Sequence, residues 1–230
     1  MATLITTTNP FVSHPTPDEN PQESAAKLLF CTMRWTRSMP AFQQLTCADQ
    51  TLLVEHSWAE VFLCTAAQSC FELPTQGCVA NEPASSASRK QLHILREAVH
   101  QLIAMETDNT EFACLKALAL FRPELPGLYD VTHVERVQEQ TLEALAAHEA
   151  SKDSLDHQES RENRQGSTSS PPEEQRGPGS SAARAHRLLL LLGTLRSART
   201  SLLEDIYFRS TIGPVPIERI LCDVLQSQPV

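Results

Sequence analysis

The sequence is poor in the residues that phosphate, metal or nucleophile chemistry asks for. Only seven glycines occur in 230 residues, and none belongs to a phosphate-cradling loop. There is no H-E-x-x-H helix and no nucleophile elbow. The seven cysteines, Cys31, Cys47, Cys64, Cys70, Cys78, Cys114 and Cys222, contain no C-x-x-C pair and are odd in number. That argues against both a zinc site and a disulfide framework. Reduced, buried thiols are the simplest reading, since the apolar neighbours of Cys64 and Cys70 raise a thiol pKa rather than lower it. The eight histidines are scattered, and none stands at a recognisable spacing from a nucleophile or carboxylate. No cofactor and no metal is expected, and the enzyme classes that need them lose their support.

Long apolar runs are missing as well. A membrane span needs ~20 apolar residues, whereas the longest run, Leu188 to Leu192, is closed by Gly193 and preceded by Arg187. The opening MATLITTTNPFVSH has neither a basic start nor an apolar block of signal-peptide length, so secretion is not expected. Clustered basic charge is absent too. With 19 basic and 28 acidic residues the net charge is −9, and a surface that grips nucleic acid must present Lys and Arg to phosphates. Any action on DNA requires a separate domain.

What is present is helix. Residues 1–21, with Pro10, Pro15, Pro17 and three consecutive threonines, read as a flexible lead-in to a domain over 22–226. From Pro21 an amphipathic pattern runs through Ala25, Leu28, Leu29, Met33 and Trp35 and stops at Pro40. A second helix, capped at Thr46 or Asp49, carries Leu52, Leu53, Val54, Trp58, Val61, Phe62 and Leu63 on more than one face. Such a helix belongs in the middle of a domain. A loop over 71–88, with room for a short hairpin, leads to helices at Arg89 to Glu106, from Asp108 or Thr110 to Pro123, and from Asp130 or Thr132 to about Glu149. Residues 151–183 hold one leucine and no aromatic, which predicts a disordered insertion within the domain. Arg184 to Arg209 reads as one long helix whose five leucines leave no polar side over a turn. Cover from two directions is then required, one of which suits a partner chain. Gly213-Pro214 breaks the chain before a last amphipathic segment, 216–226. The fold class is all-α, since no alternating strand pattern of any length occurs.

Two features point to binding. Arg37 stands at the C-terminal end of its helix, where a guanidinium can meet the free carbonyls of a docked helix. In the last segment, Ile220, Leu221, Val224 and Leu225 flank Asp223, an acid suited to the N–H groups at the other end of a docked helix. Arg37 and Asp223 together make two poles of a helix-in-groove site. Leu221-x-x-Val224-Leu225 is itself an L-x-x-Φ-L pattern, so the same helix can cap the groove or fill it.

The order Trp35, Arg37, Pro40, Phe42, Leu45, Asp49, Gln50, Leu52, Leu53 and Trp58 resembles the signature of the nuclear receptor ligand-binding domain. The likeness covers about Glu23 to Leu225, the insertion excepted. ESAAKLLF at 23–30, TEFACLKAL at 110–118, RLLLLLGTLRS at 187–197 and FRSTIGPVPIERILCDVL at 208–225 are similar to the tailless and photoreceptor-specific orphan branch. The resemblance implies a three-layer antiparallel helical sandwich and a nuclear location. It implies a groove for coactivator or corepressor helices formed by Met33, Arg37, Gln50, Thr51, Glu55 and Asp223. The activation helix is then carried by Ile220, Leu221, Val224 and Leu225, and dimerisation, with itself or a related receptor, by Leu188, Leu191, Leu195 and Leu202. A lipid-like ligand and a repressor role also follow, with DNA contacted only by a zinc-finger domain outside this chain. A ligand-independent dimerisation and corepressor scaffold with a filled pocket is the alternative, and a helical enzyme acting on a hydrophobic small molecule a further one.

Some positions depart from the pattern. Arg37 replaces the usual lysine, and Asp223 the usual glutamate, a shorter acid for the clamp. The branch has Gln-Trp where this chain reads Gln68-Ser69-Cys70-Phe71, and no arginine there could anchor a ligand carboxylate.

Overall fold

A computed structural model describes residues 20–74, 78–79, 82–83, 85–164 and 180–226. Helix α1, Pro21–Ser38, opens on the Asn20 side chain, which accepts from Gln22 N at 3.1 Å, with Pro21 in the first turn. It ends where Met39 turns extended ahead of Pro40. A short α2, Pro40–Gln43, leads to α3, Cys47–Gln68, whose cap is the Thr46 hydroxyl, accepting from Asp49 N at 3.2 Å. Every residue of α3 from Ser57 to Ala67 is buried. Strands β1, Cys78–Val79, and β2, Glu82–Pro83, pair antiparallel in the expected hairpin. Helix α4, Ser86–Ala104, follows the Ser85 cap. Helix α5, Asn109–Leu120, opens on a capping box of Asp108 and Glu111 and is buried from Glu111 to Leu120. Beyond it come α6, Val131–Arg164, and α7, Ser180–Leu195, then α8, Thr200–Leu203, a π-helical turn over Glu204–Phe208, α9, Arg209–Ile212, and α10, Ile217–Gln226.

Helices α3 and α5 pack on each other in the centre. On one side α1 and α10 lie against α3; on the other α6 covers α5 and pairs with α7, which also meets α4. The expected all-α, three-layer sandwich is what forms. The Trp35–Trp58 stretch ties it together through polar side chains. Gln50 Nε2 donates to Phe42 O at 2.9 Å and Leu45 O at 3.1 Å, which holds α2 against α3. Buried Asp49 accepts from Tyr129 N at 2.8 Å and Asp130 N at 3.2 Å, fixing the chain as it enters α6.

Two expectations need correction. The disordered insertion over 151–183 is shortened at both ends, because α6 continues to Arg164 and α7 begins at Ser180; residues 165–179 lie outside the described residues. Lys, Glu, Gln and Arg are good helix formers without any core to pack on, so a composition too polar for a core still extends a helix already nucleated. The single helix over Arg184 to Arg209 is instead broken after Leu195. Ser197 N and Ala198 N close the turn onto Thr194 O and Leu195 O, and Arg196 Nη2 donates to Leu118 O at 3.2 Å. The expected lead-in over 1–21 falls outside the described residues as far as 19, and α1 itself takes Pro21.

Candidate functional site

Helix α10 lies across α3 and α1, seated by contacts at both ends and in its middle. At its start, Ile217 N donates to Glu204 Oε1 at 2.9 Å, so a carboxylate from the π-helical turn serves a free N-terminal amide. One residue on, Trp58 Nε1 donates to Glu218 Oε1 at 2.8 Å. A turn later, Cys222 Sγ donates to Glu55 Oε1 at 3.3 Å. At the far end, Arg37 Nη1 donates to Val224 O at 3.2 Å, a cation on a C-terminal carbonyl. Between these points Ile217 and Leu221 are 0% and 2% exposed, and Ile220 and Leu225 pack on the core at its edge. Burying the two anchors contributes about 1.5–3 kcal/mol each.

The expected groove residues are brought together in part. Arg37 and Glu55 both touch α10, while Met33 is buried in α1. Gln50 turns inward to the carbonyls of Phe42 and Leu45, and Thr51 is half-buried beside it on α3. Asp223, expected as the second pole of the groove, is on α10 beside the residue that Arg37 contacts. It is exposed and adjacent to Val224, so it stands at the same end of α10 as Arg37 rather than opposite it. The carbonyl that Arg37 meets is the one of Val224, at the C-terminal end of α10 itself. Of Ile220, Leu221, Val224 and Leu225, Leu221 is buried and Ile220 and Leu225 pack on the core, with Ile217 as the buried anchor that sequence reasoning passed over. Glu204, Trp58, Glu218 and Cys222 were missed as contacts. The four-residue step from Glu218 to Cys222 was visible; their partners on α3, more than a hundred and fifty positions earlier, were not.

Burial, followed by the nearby Glu55, pushes the Cys222 thiol up to about 11, which keeps it neutral and a donor. A cluster of aromatic rings packs beside the Trp58 that meets α10. Phe62, Phe71, Tyr207 and Phe208 stand with centroids 5.6–6.1 Å apart, and Trp58 meets Phe208 edge-on at 6.3 Å. The Tyr207 hydroxyl is buried among them with no hydrogen-bond partner among the described residues, and burial raises its pKa.

The four leucines expected at a dimer interface have a place in the fold as well. Leu188, Leu191, Leu195 and Leu202 are all buried inside the chain and serve its core. The leucine that points outward from α7 is Leu190, 73% exposed.

Comparison with known proteins decides the family. The family described as the ligand-binding domain of nuclear hormone receptor matches residues 19–212. The chain belongs to it. Nuclear receptor subfamily 2 group F member 6 of Homo sapiens is 34% identical over 218 residues, spanning 91% of this chain and 48% of the relative. The Mus musculus protein of the same name is also 34% identical, over 50% of its length, and subfamily 2 group F member 5 of Danio rerio is 32% identical over 48%. This ligand-binding domain thus spans about half the length of the curated relatives it matches. A domain of this family is not an enzyme, which removes the helical-enzyme alternative. Among the described residues no helix is long and apolar enough to cross a membrane.

Proposed function

We propose that the chain is the coregulator-binding domain of an orphan nuclear receptor that acts as a transcriptional repressor in the nucleus, and that α10 is an internal occupant of its coregulator groove. The observation that carries this reading is the Arg37 contact to Val224 O, made together with the burial of Ile217 and Leu221. A basic side chain on the last carbonyls and apolar residues at i and i+4 in a groove are what an amphipathic guest helix uses. While α10 sits there, an external coactivator or corepressor helix meets only the fraction of molecules whose groove is open, and its apparent affinity falls by that fraction. Finer placement in the tailless and photoreceptor-specific branch rests on the segments 23–30, 110–118, 187–197 and 208–225. DNA contact is assigned to a zinc-finger domain outside this chain, and dimerisation, with itself or a related receptor, to the outer face of α7.

The reading is tested by fluorescence anisotropy of an L-x-x-L-L-type helical peptide on the 230-residue chain and on Leu221→Asp, which removes an anchor of α10. The variant is expected to bind at least tenfold more tightly. Adding Arg37→Ala to that variant should lose the gain, whereas Asp223→Ala, at an exposed position, should change little. Equal affinity of the wild-type chain and Leu221→Asp would defeat the proposal.

The scaffold alternative has an observation of its own in the packed rings of Trp58, Phe62, Phe71, Tyr207 and Phe208. On that reading a lipid-like ligand is not required for the fold, and coregulator capture depends on α10 alone.

A further inference from the structure

The polar contacts of α10 are of two kinds. Those from Ile217 N to Glu204 and from Arg37 to Val224 O use backbone groups, which every helix carries at its ends. They position a helix without reading its sequence. The contacts of Glu218 with Trp58 and of Cys222 with Glu55 use side chains, one turn apart on one face. An indole N–H only donates, so a guest without an acceptor at that place leaves the buried Trp58 unsatisfied. An ionised Glu55 only accepts, and a neutral thiol at 3.3 Å is a weak donor to offer it.

We propose that the groove reads a pair of side chains, favouring an external amphipathic helix with a carboxylate facing Trp58 and, one turn later, a lysine or arginine facing Glu55. The proposal rests on the groove reading above and names the chemistry of the partner that groove takes. Its pattern is that of residues 217–225, IERILCDVL, with a cation in place of Cys222. Charge-assisted hydrogen bonds are roughly twice as strong as neutral ones. A glutamate four residues N-terminal to a lysine is also the stabilising order within the guest helix itself. Helix α10 matches this pattern at the apolar positions and at the acid, and falls short only at Cys222. It is therefore a plug that a better-matched helix displaces.

Three capped peptides of residues 217–225 test this against the full chain carrying Leu221→Asp: the native sequence, Glu218→Ala and Cys222→Lys. The lysine peptide is expected to bind about tenfold more tightly than the native one, and the alanine peptide about tenfold more weakly. Trp58→Phe in the chain should erase the second difference alone, and Glu55→Gln the first alone. Should Trp58→Phe fail to fold, Glu55→Gln at its half-buried position still decides. Equal affinities for all three peptides would overturn the pair-reading while leaving the groove intact. No binding of any peptide to the released chain would overturn the groove reading, and this proposal with it.

Discussion

Lys116 carries an ammonium group into the middle of the helical layers, with only 1% of the residue exposed. Its Nζ donates to Gln68 Oε1 at 2.9 Å and lies 4.5 Å from the centroid of the Trp35 ring. Burial lowers its pKa to about 8, since one amide oxygen and an aromatic face only partly replace water around the charge. An unfolded lysine holds its proton to about 10.4, so between those values the unfolded state binds more protons and stability rises with pH. Methionine has a similar shape without the charge, and replacing a buried ion by an apolar side chain is often neutral or stabilising. Lys116→Met is expected to keep the fold, to shift stability at pH 7 by no more than about 2 kcal/mol, and to flatten the rise between pH 8 and 10. Urea denaturation at pH 7, 8 and 9.5 reads all three; an undiminished rise in the variant would assign that titration to other groups.

At the scale of elements, the starts of α3 and α5 were legible because each follows a side chain that satisfies free N–H groups, Thr46 and Asp108, and that of α1 because Pro21 stands in its first turn; α4 begins on a Ser85 cap inside a stretch whose turn residues read as loop as far as 88. The end of α7 was not legible. Arg196, Ser197 and Ala198 contain neither glycine nor proline, and the apolar spacing continues past them into Leu202 and Leu203, so nothing local marks the turn. What makes it is tertiary: Arg196 reaches Leu118 O, and Gln91 Nε2 donates to Ser197 O at 2.6 Å. The proposed groove shows the same division. Arg37 and the apolar side of α10 could be read from spacing, whereas the seat of Asp223 depended on which way a short helix lies, a choice set by Glu204, Trp58 and Glu55 together. Burial also decides which substitution can test dimerisation. A charge at Leu191 or Leu195 would enter the core and destabilise by several kcal/mol, which confounds any loss of dimer. Leu190→Glu, on the exposed side, is expected to leave the melting temperature within about 2 °C and to give monomers in sedimentation velocity. A dimer that persists in Leu190→Glu would move the interface off α7.

Across the whole molecule, one charge network joins the three helices on the side away from α10. Arg184 of α7 donates to Glu111 Oε1 at 2.6 Å and Oε2 at 3.0 Å, and to Met105 O at 2.9 Å. Lys152 of α6 pairs with Asp108 and, at 3.2 Å, with Glu111, while His148 Nε2 lies 2.8 Å from Asp108 Oδ2. Burial works against the Asp108 and Glu111 charges, yet hydrogen bonds from Lys152 and His148 in the first case, and from Arg184 in the second, hold both below the usual carboxylate range. Glu149 goes the other way, raised to about 7 by burial and by its closeness to Glu111. The two directions have opposite consequences. The Asp108 and Glu111 contribution is present above the unfolded carboxylate range and is lost as pH falls through it, whereas that of Glu149 is lost as pH rises toward 7. Arg184→Ala leaves Glu111, fully buried, without its bidentate partner, a change of the kind that costs about 3–5 kcal/mol when a buried pair is broken. The partial exposure of Arg184 and the remaining Lys152 contact bring the expectation to about 2–3 kcal/mol at pH 7. As pH falls into the ordinary carboxylate range the orphaned Glu111 can take up a proton, and the gap between variant and wild type should narrow by half or more. Because this network is all that binds the start of α7 to α5 and α6 through charge among the described residues, the loss should appear as one cooperative shift of the urea midpoint rather than as local fraying. A gap independent of pH would show that Arg184 acts through packing along its stem, and would remove Glu111 as the group that senses its absence.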